Sequence, residues 1–164
     1  PGVLLLPVKL MKTRGPCQVD NFLPLHKATV HRHASQAAID AGKAVTVLTY
    51  LHGTKEAEDA IDQLNAEGYD VDLVELTCLK PFDADTIRAS LQRTHKLCIL
   101  DESTRSGGVG ATMSALVNET MFDELDAPVS RLCMEDAPVP YATEMERAMV
   151  KRAADLVEGV KAMC

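Results

Sequence analysis

Three groups of residues in this chain have types and spacings that could do chemistry. The first is Ser106-Gly107-Gly108-Val109-Gly110-Ala111, which follows the apolar run Leu97 to Leu100 and the acidic pair Asp101-Glu102. Glycines between a strand and a helix can cradle an anion, because exposed helix amides and the macrodipole favour phosphate. The order here is G-G-x-G, not G-x-G-x-x-G, and Glu124 and Asp126 precede the next strand instead of ending it. A dinucleotide site is therefore weak, and close packing of a helix start on a sheet explains the glycines better. Asp101 and Glu102, at the carboxyl end of a strand, could form an acid/base pair. With no nucleophile or partner base beside them, helix capping or an interface role is favoured. Ser103, Ser106 and Ser114 lack a G-x-S-x-G setting, so hydrolase chemistry is unsupported.

The second group is His31-x-His33 with His26 nearby, which could in principle hold zinc. No thiolate or carboxylate sits at matching spacing, so loop histidines are expected. The third is the five cysteines, Cys17, Cys78, Cys98, Cys133 and Cys164. They form no C-x-x-C pair, and Cys78, Cys98 and Cys133 lie in or beside apolar runs, as small buried hydrophobes of a reducing compartment do. No metal site is expected.

The elements that position these residues are legible from periodicity. Val45 to Tyr50 is a β-branched run of strand length. Thr54 is then expected to cap a helix carrying Ala57, Ala60, Ile61 and Leu64 on one stripe, ended by Gly68. Val71 to Leu76 reads as a second strand, and Lys80-Pro81-Phe82 as a turn into a helix capped by Asp83 and burying Ile87 and Leu91. Leu97 to Leu100 is a third strand. Met113, Leu116, Val117 and Met121 continue a helix, and Val129 to Met134 makes a fourth strand. Val150, Ala153, Ala154, Val157 and Val160 stripe a terminal helix. Strands alternating with helices imply βαβ crossovers and a largely parallel sheet covered on both faces.

Composition narrows the function classes. At 164 residues and 17.8 kDa, with 46% apolar and 25% charged residues, the chain suits one globular domain. No run of about 18 apolar residues is present, so no bilayer span is expected. Pro1 to Leu6 lacks a basic leader and a cleavage site and is not read as a signal peptide. The absence of Met at position 1 suggests a processed or truncated piece of a longer protein. Residues 1–43 hold six bases and two acids, a balance of +4; residues 44–164 hold eleven bases and twenty-two acids, a balance of −11. That shift sets an expected boundary near Gly42, between a basic, irregular leader (1–43) and an acidic folded body (44–164). The acidic body argues against nucleic-acid binding, which needs clustered Lys and Arg, and is compatible either with a basic protein partner or with simple solubility. Asp136-Ala137-Pro138-Val139-Pro140-Tyr141 fixes φ at two prolines and forms a rigid, partly apolar loop suited to subunit contacts.

Taken in order, Val45 to Tyr50, Gly68 to Leu76, Leu79-Lys80-Pro81-Phe82-Asp83, Thr94-His95-Lys96, Asp101-Glu102, Gly107 to Ala111, Leu125-Asp126-Ala127-Pro128 and Asp136 to Tyr141 resemble one family closely. That family is the C-terminal domain of the β subunit of the thiamine-diphosphate-dependent pyruvate dehydrogenase component. The resemblance covers about residues 44–164 and, around Lys80 to Asp83, Thr94 to Lys96 and Phe122 to Pro128, is strongest to the cyanobacterial and plastid type. Residues 3–12 resemble the end of the preceding pyrimidine-binding domain, although Leu6 or Pro7 stands where that family usually has Glu.

The resemblance implies a three-layer α/β fold of the transketolase C-terminal type, with a five-stranded, mostly parallel sheet between helix layers. It implies that thiamine diphosphate and magnesium are bound outside this segment, with no catalytic or cofactor-binding residue within it. The implied role is assembly with the α subunit and a second β subunit, and docking of the basic peripheral subunit-binding domain of dihydrolipoyl acetyltransferase. Asp126 falls on the family's acidic docking position, and Cys164 supplies a terminal carboxylate. Gly107, Gly108, Gly110, Pro138, Pro140 and Tyr141 are expected to serve turns and interfaces. A plastid stroma is implied, with a bacterial cytoplasm or mitochondrial matrix as alternatives. The β subunit of a branched-chain 2-oxo acid dehydrogenase, a non-enzymatic α/β interaction module and a small nucleotide-binding protein remain alternative readings.

Overall fold

A computed structural model describes residues 2–15 and 24–164. Cys17 and Pro1 lie outside the described residues. Five strands, β1 (Thr29–Arg32), β2 (Ala44–Thr49), β3 (Asp70–Glu75), β4 (Leu97–Thr104) and β5 (Ser130–Met134), form one sheet in the order β1-β3-β2-β4-β5. The last four pair in parallel, and β1 joins β3 antiparallel at the edge. Helices α1 (Gln36–Asp40), α2 (His52–Ala66), α3 (Ala84–Thr94), α4 (Val109–Thr120), α5 (Thr143–Met149) and α6 (Ala153–Ala162) complete the chain. Among the described residues, no helix is long and apolar enough to cross a membrane.

The two faces of the sheet carry separate cores because successive side chains on a strand point to opposite sides. Val45, Val47, Val71, Leu73, Cys98 and Leu100 pack under α2 and α6, with Ala57, Leu64, Leu156 and Val160. Leu48, Val74, Leu97 and Ile99 pack under α3 and α4, with Ile87, Leu91, Met113 and Val117. This is the expected three-layer arrangement.

Several local readings hold. Asp83 caps α3 by accepting from the Thr86 amide at 3.3 Å, and Gly68, at φ +78°, takes the left-handed position after α2 that favours glycine. Others are corrected. Thr54 does not cap α2: the helix begins two residues earlier, and Thr54 is buried in its first turn. The residue before it, Leu51, has φ 53°, a conformation with no sequence signal in a leucine. In the terminal helix Leu156, not Ala154, faces the core, and Val150 lies before the helix in an extended C-cap of α5. β4 runs four residues past Leu100.

The largest addition is β1. It lies in the basic leader yet belongs to the sheet, because β3 offers carboxylates at alternating or nearby positions to its basic side chains and to those beside it. Arg32 reaches Asp70 at 2.6 Å, His31 reaches Glu75 at 2.6 Å, and His33 and Arg93 reach the fully buried Asp72 at 3.3 and 3.2 Å. The H-x-H pair is thus engaged by two different carboxylates, and His31, expected in a loop, lies in β1 with only His33 just past it. Among the described residues no cluster of His, Cys, Asp and Glu is arranged to hold a metal ion.

Candidate functional site

Because β2, β4 and β5 run parallel, their loops gather at two opposite edges of the sheet, and the residues singled out above divide between them. The carboxyl edge holds Tyr50, Asp101, the glycine turn and the segment Asp136 to Tyr141. The amino edge holds His95, Asp126 and, through the Lys161–Glu67 pair at 2.5 Å, the end of α6 leading to Cys164.

At the carboxyl edge the dominant group is Asp101, which is 2% exposed. Its Oδ1 accepts from the Tyr50 hydroxyl at 2.6 Å and the Ser103 amide at 2.8 Å. Its Oδ2 accepts from the Ser103 hydroxyl at 2.6 Å and the Gly110 amide at 2.7 Å. Burial pushes its pKa up, but these four bonds outweigh burial and hold the carboxyl below its ordinary value. Burial and the adjacent carboxylate push the Tyr50 hydroxyl upward in turn.

The glycine turn is built around this carboxylate. A side chain at Gly110 would place a Cβ 2.8 Å from Asp101 Oδ2, and one at Gly108 would collide with Ser103 and the Thr104 carbonyl. Gly107 has open space but φ +73°. The positive end of α4 therefore already faces an anion, the chain's own Asp101. One amide at that helix start, that of Gly110, is thereby engaged by the chain's own carboxylate.

The same edge links two motifs that sequence spacing left apart. Ser106 donates its amide and its hydroxyl to Asp136 at 2.7 and 2.6 Å, holding that exposed carboxyl below its ordinary value. The clasp borders an open cleft of about 480 Å³ lined by Thr104, Ser106, Asp136, Ala137 and Pro138. Beyond it Val139 and Tyr141 are exposed, Tyr141 fully. Tyr50, Ser103 and the Ser106–Asp136 clasp were not identified as partners from sequence. The signal available was position: Tyr50, Ser106 and Asp136 lie just past the ends of neighbouring parallel strands, and Ser103 lies near the end of β4.

At the amino edge Asp126 is exposed, while its amide donates to the His95 carbonyl at 2.8 Å. Cys164 is also exposed. Neither residue meets the glycine turn or the Pro138–Tyr141 loop, which lie across the sheet. Among the thiols, burial pushes Cys98 up to about 12, which leaves it unreactive as a nucleophile.

The fold and these edges define a class: a three-layer α/β domain with a mixed five-stranded sheet, whose polar residues at the carboxyl edge are engaged with one another. The family model "Transketolase, C-terminal domain" matches residues 35–156, and the chain belongs to that family. It is 37% identical over 162 residues to "Pyruvate dehydrogenase E1 component subunit beta" of Porphyra purpurea, covering 98% of this chain and 46% of the relative. It is 39% identical over 142 residues to the protein of the same name from Gracilaria tenuistipitata var. liui, covering 87% and 42%. It is 39% identical over 123 residues to "Pyruvate dehydrogenase E1 component subunit beta-2, chloroplastic" of Arabidopsis thaliana, covering 75% and 30%. The chain thus spans less than half the length of these relatives. A solved structure titled "Split gene transketolase, inactive beta4 tetramer" shares the fold at TM-score 0.72 and 22% identity, over 90% of this chain and 44% of that one.

Proposed function

We propose that this chain is the C-terminal assembly and docking domain of a pyruvate dehydrogenase β subunit, of plastid type. In this reading the whole enzyme carries out oxidative decarboxylation of pyruvate with thiamine diphosphate and magnesium, delivering acetyl groups to lipoyl domains. The segment's own task is to join the α subunit, a second β subunit and the basic subunit-binding domain of dihydrolipoyl acetyltransferase.

The observation that carries this reading is the spent state of Asp101. The one helix start that sequence marked for phosphate is neutralised internally, and the described residues hold no metal-binding cluster. These features support the reading in which other domains of the enzyme hold the diphosphate and its metal. Asp126 is exposed on one edge, and Val139 and Tyr141 on the other. The −11 balance of residues 44–164 supports a basic partner through steering and complementarity. Relatives named as chloroplastic support the plastid assignment.

The test is capture with the tagged chain from a mixture of purified α subunit and acetyltransferase. Recovery of both is expected. Binding of thiamine diphosphate and unaided decarboxylation of pyruvate by the chain would overturn the division of roles.

A further inference from the structure

The edge strand β1 is attached differently from the rest of the sheet. It pairs with β3 alone, and its register shifts between Val30 and Arg32. Within residues 27–35 only Ala34 is buried, while Ala28 and Val30 make partial contact with the core beneath α3 and α4. Apolar burial therefore contributes little to holding this segment.

A row of carboxylates on the body holds it instead. Asp83 accepts from the Ala28 amide at 3.0 Å and from Lys27 at 3.2 Å. Asp72 accepts from the Ala34 amide at 2.7 Å and meets His33 Nδ1 at 3.3 Å. Asp70 accepts from the Ser35 amide at 2.9 Å and from Arg32 at 2.6 Å. Each of the three is thus engaged by one backbone amide and one basic side chain of the same segment, and His31 adds Glu75 at 2.6 Å. Asp70, Asp72 and Asp83 are 7%, 0% and 6% exposed. The body grips residues 27–35 as a receptor grips an extended peptide, with ladder bonds for affinity and side-chain sites for spacing.

Two consequences follow from that grip. A segment held by charge and by one row of ladder bonds opens at a lower free energy than strands buried on both faces. The edge it leaves is costly to keep empty, because β3 would expose unpaired ladder groups and its buried carboxylates would lose their cations. Asp72 would keep only Ser90 at 3.0 Å and Arg93 at 3.2 Å. A replacement must bring amides and cations at the same spacing. The same segment of another copy does so by identity, which is the condition for exchange of an element between protomers.

We infer that residues 27–35 form a detachable strap, and that the β3 edge beneath it accepts the strap of a second copy of this chain by strand exchange. The surface is a binding edge for an extended basic segment, closed by the chain's own leader. The inference does not rest on the docking function proposed above.

The experiment has two arms, both on the full chain. In the first, a labelled synthetic peptide of residues 27–35 is titrated into the parent and into Arg32→Ala at about 50 mM and about 300 mM salt. Loss of a charged hydrogen bond weakens the internal competitor, so Arg32→Ala is expected to bind the peptide roughly tenfold more tightly than the parent. Binding to both should fall at the higher salt. In the second, Val30→Cys and Val74→Cys chains are mixed under a mild oxidant, because Val30 and Val74 are register partners and neither variant can form a 30–74 disulfide within itself. Mass spectrometry is expected to find that link between chains under native conditions. Absence of peptide binding, or equal binding to parent and Arg32→Ala, overturns the strap. Peptide binding without an interchain 30–74 link, or a link that forms only in denaturant, overturns exchange with a second copy.

Discussion

The amide of Gly110 donates to Oδ2 of Asp101 at 2.7 Å, so the first turn of α4 is closed by a carboxylate from the strand that precedes it. This relationship explains the close approach at the glycine turn, and it joins the bonds from Ser103 and Tyr50 in holding the Asp101 carboxyl low against burial. The helix dipole and the buried charge offset each other, and four donors share the two oxygens. Asn at position 101 would turn an amide NH2 toward at least one of those donors. Asp101→Asn should therefore destabilise the chain by about 2–4 kcal/mol, the cost of leaving buried polar groups mismatched. Urea unfolding at neutral pH checks this.

The glycines of the turn separate by mechanism. Gly110→Ala places a methyl 2.8 Å from the Asp101 oxygen and 3.3 Å from Ile99 Cγ2, and should cost about 2 kcal/mol or more through overpacking. Gly107→Ala meets no atom within 4 Å but must keep φ +73°, and should cost only about 1 kcal/mol. Denaturation midpoints in that order are the expected result.

Acid sensitivity should localise to the start of α3. Asp83 is 6% exposed; burial raises its pKa, yet bonds from Thr86, from the Ala28 amide and from Lys27 lower it to about 2 from an ordinary value of 3.8. A carboxyl depressed in the folded state stabilises it fully above the unfolded value, and that contribution is lost as pH falls through the folded one. Asp83→Ala should thus be less stable than the parent by about 1 kcal/mol or more at pH 7. The difference should shrink as pH drops from 3.8 toward 2, which unfolding measured across that window would reveal.

Thiol reactivity should follow burial. Cys164 is exposed and should be modified rapidly by a disulfide reagent in the native state, with Cys78 slower. Cys98 is buried and pushed up to about 12, so its modification should require unfolding and track denaturant concentration. Mass spectrometry of labelled peptides distinguishes the three.

The Ser106–Asp136 clasp is exposed, so its removal should change local order more than global stability. In Asp136→Asn, amide hydrogen exchange at Ser106 and through Ala137 should accelerate, while the thermal midpoint remains near that of the parent. A parallel fall in protection throughout the sheet would contradict a local role.

The readability of this sequence followed the strength of its local patterns. Leu97 to Leu100 was legible as a buried strand because apolar burial on both faces leaves an unbroken run, and Val45 to Leu48 because it is a run of β-branched and apolar residues. Asp83 and Gly68 were legible because capping chemistry is local. β1 was not, since Thr29, Val30, His31 and Arg32 acquire strand character only through Asp70, Asp72 and Glu75, about forty residues away. The start of α2 was missed because Leu51 adopts φ 53° where a polar cap was expected at Thr54. At the carboxyl edge, Asp101 was weighed between capping and an interface; its partners Tyr50 and Gly110 are set by topology, which no spacing within one loop reveals.

The most direct test of the account is calorimetric titration of the chain with the basic subunit-binding domain of dihydrolipoyl acetyltransferase, comparing the parent with Asp126→Ala over a range of salt. Binding should weaken with salt, and the substitution should cost about 2 kcal/mol at low salt, as for a charge pair removed from water. Equal affinity of the two proteins, or no binding by either, would contradict it.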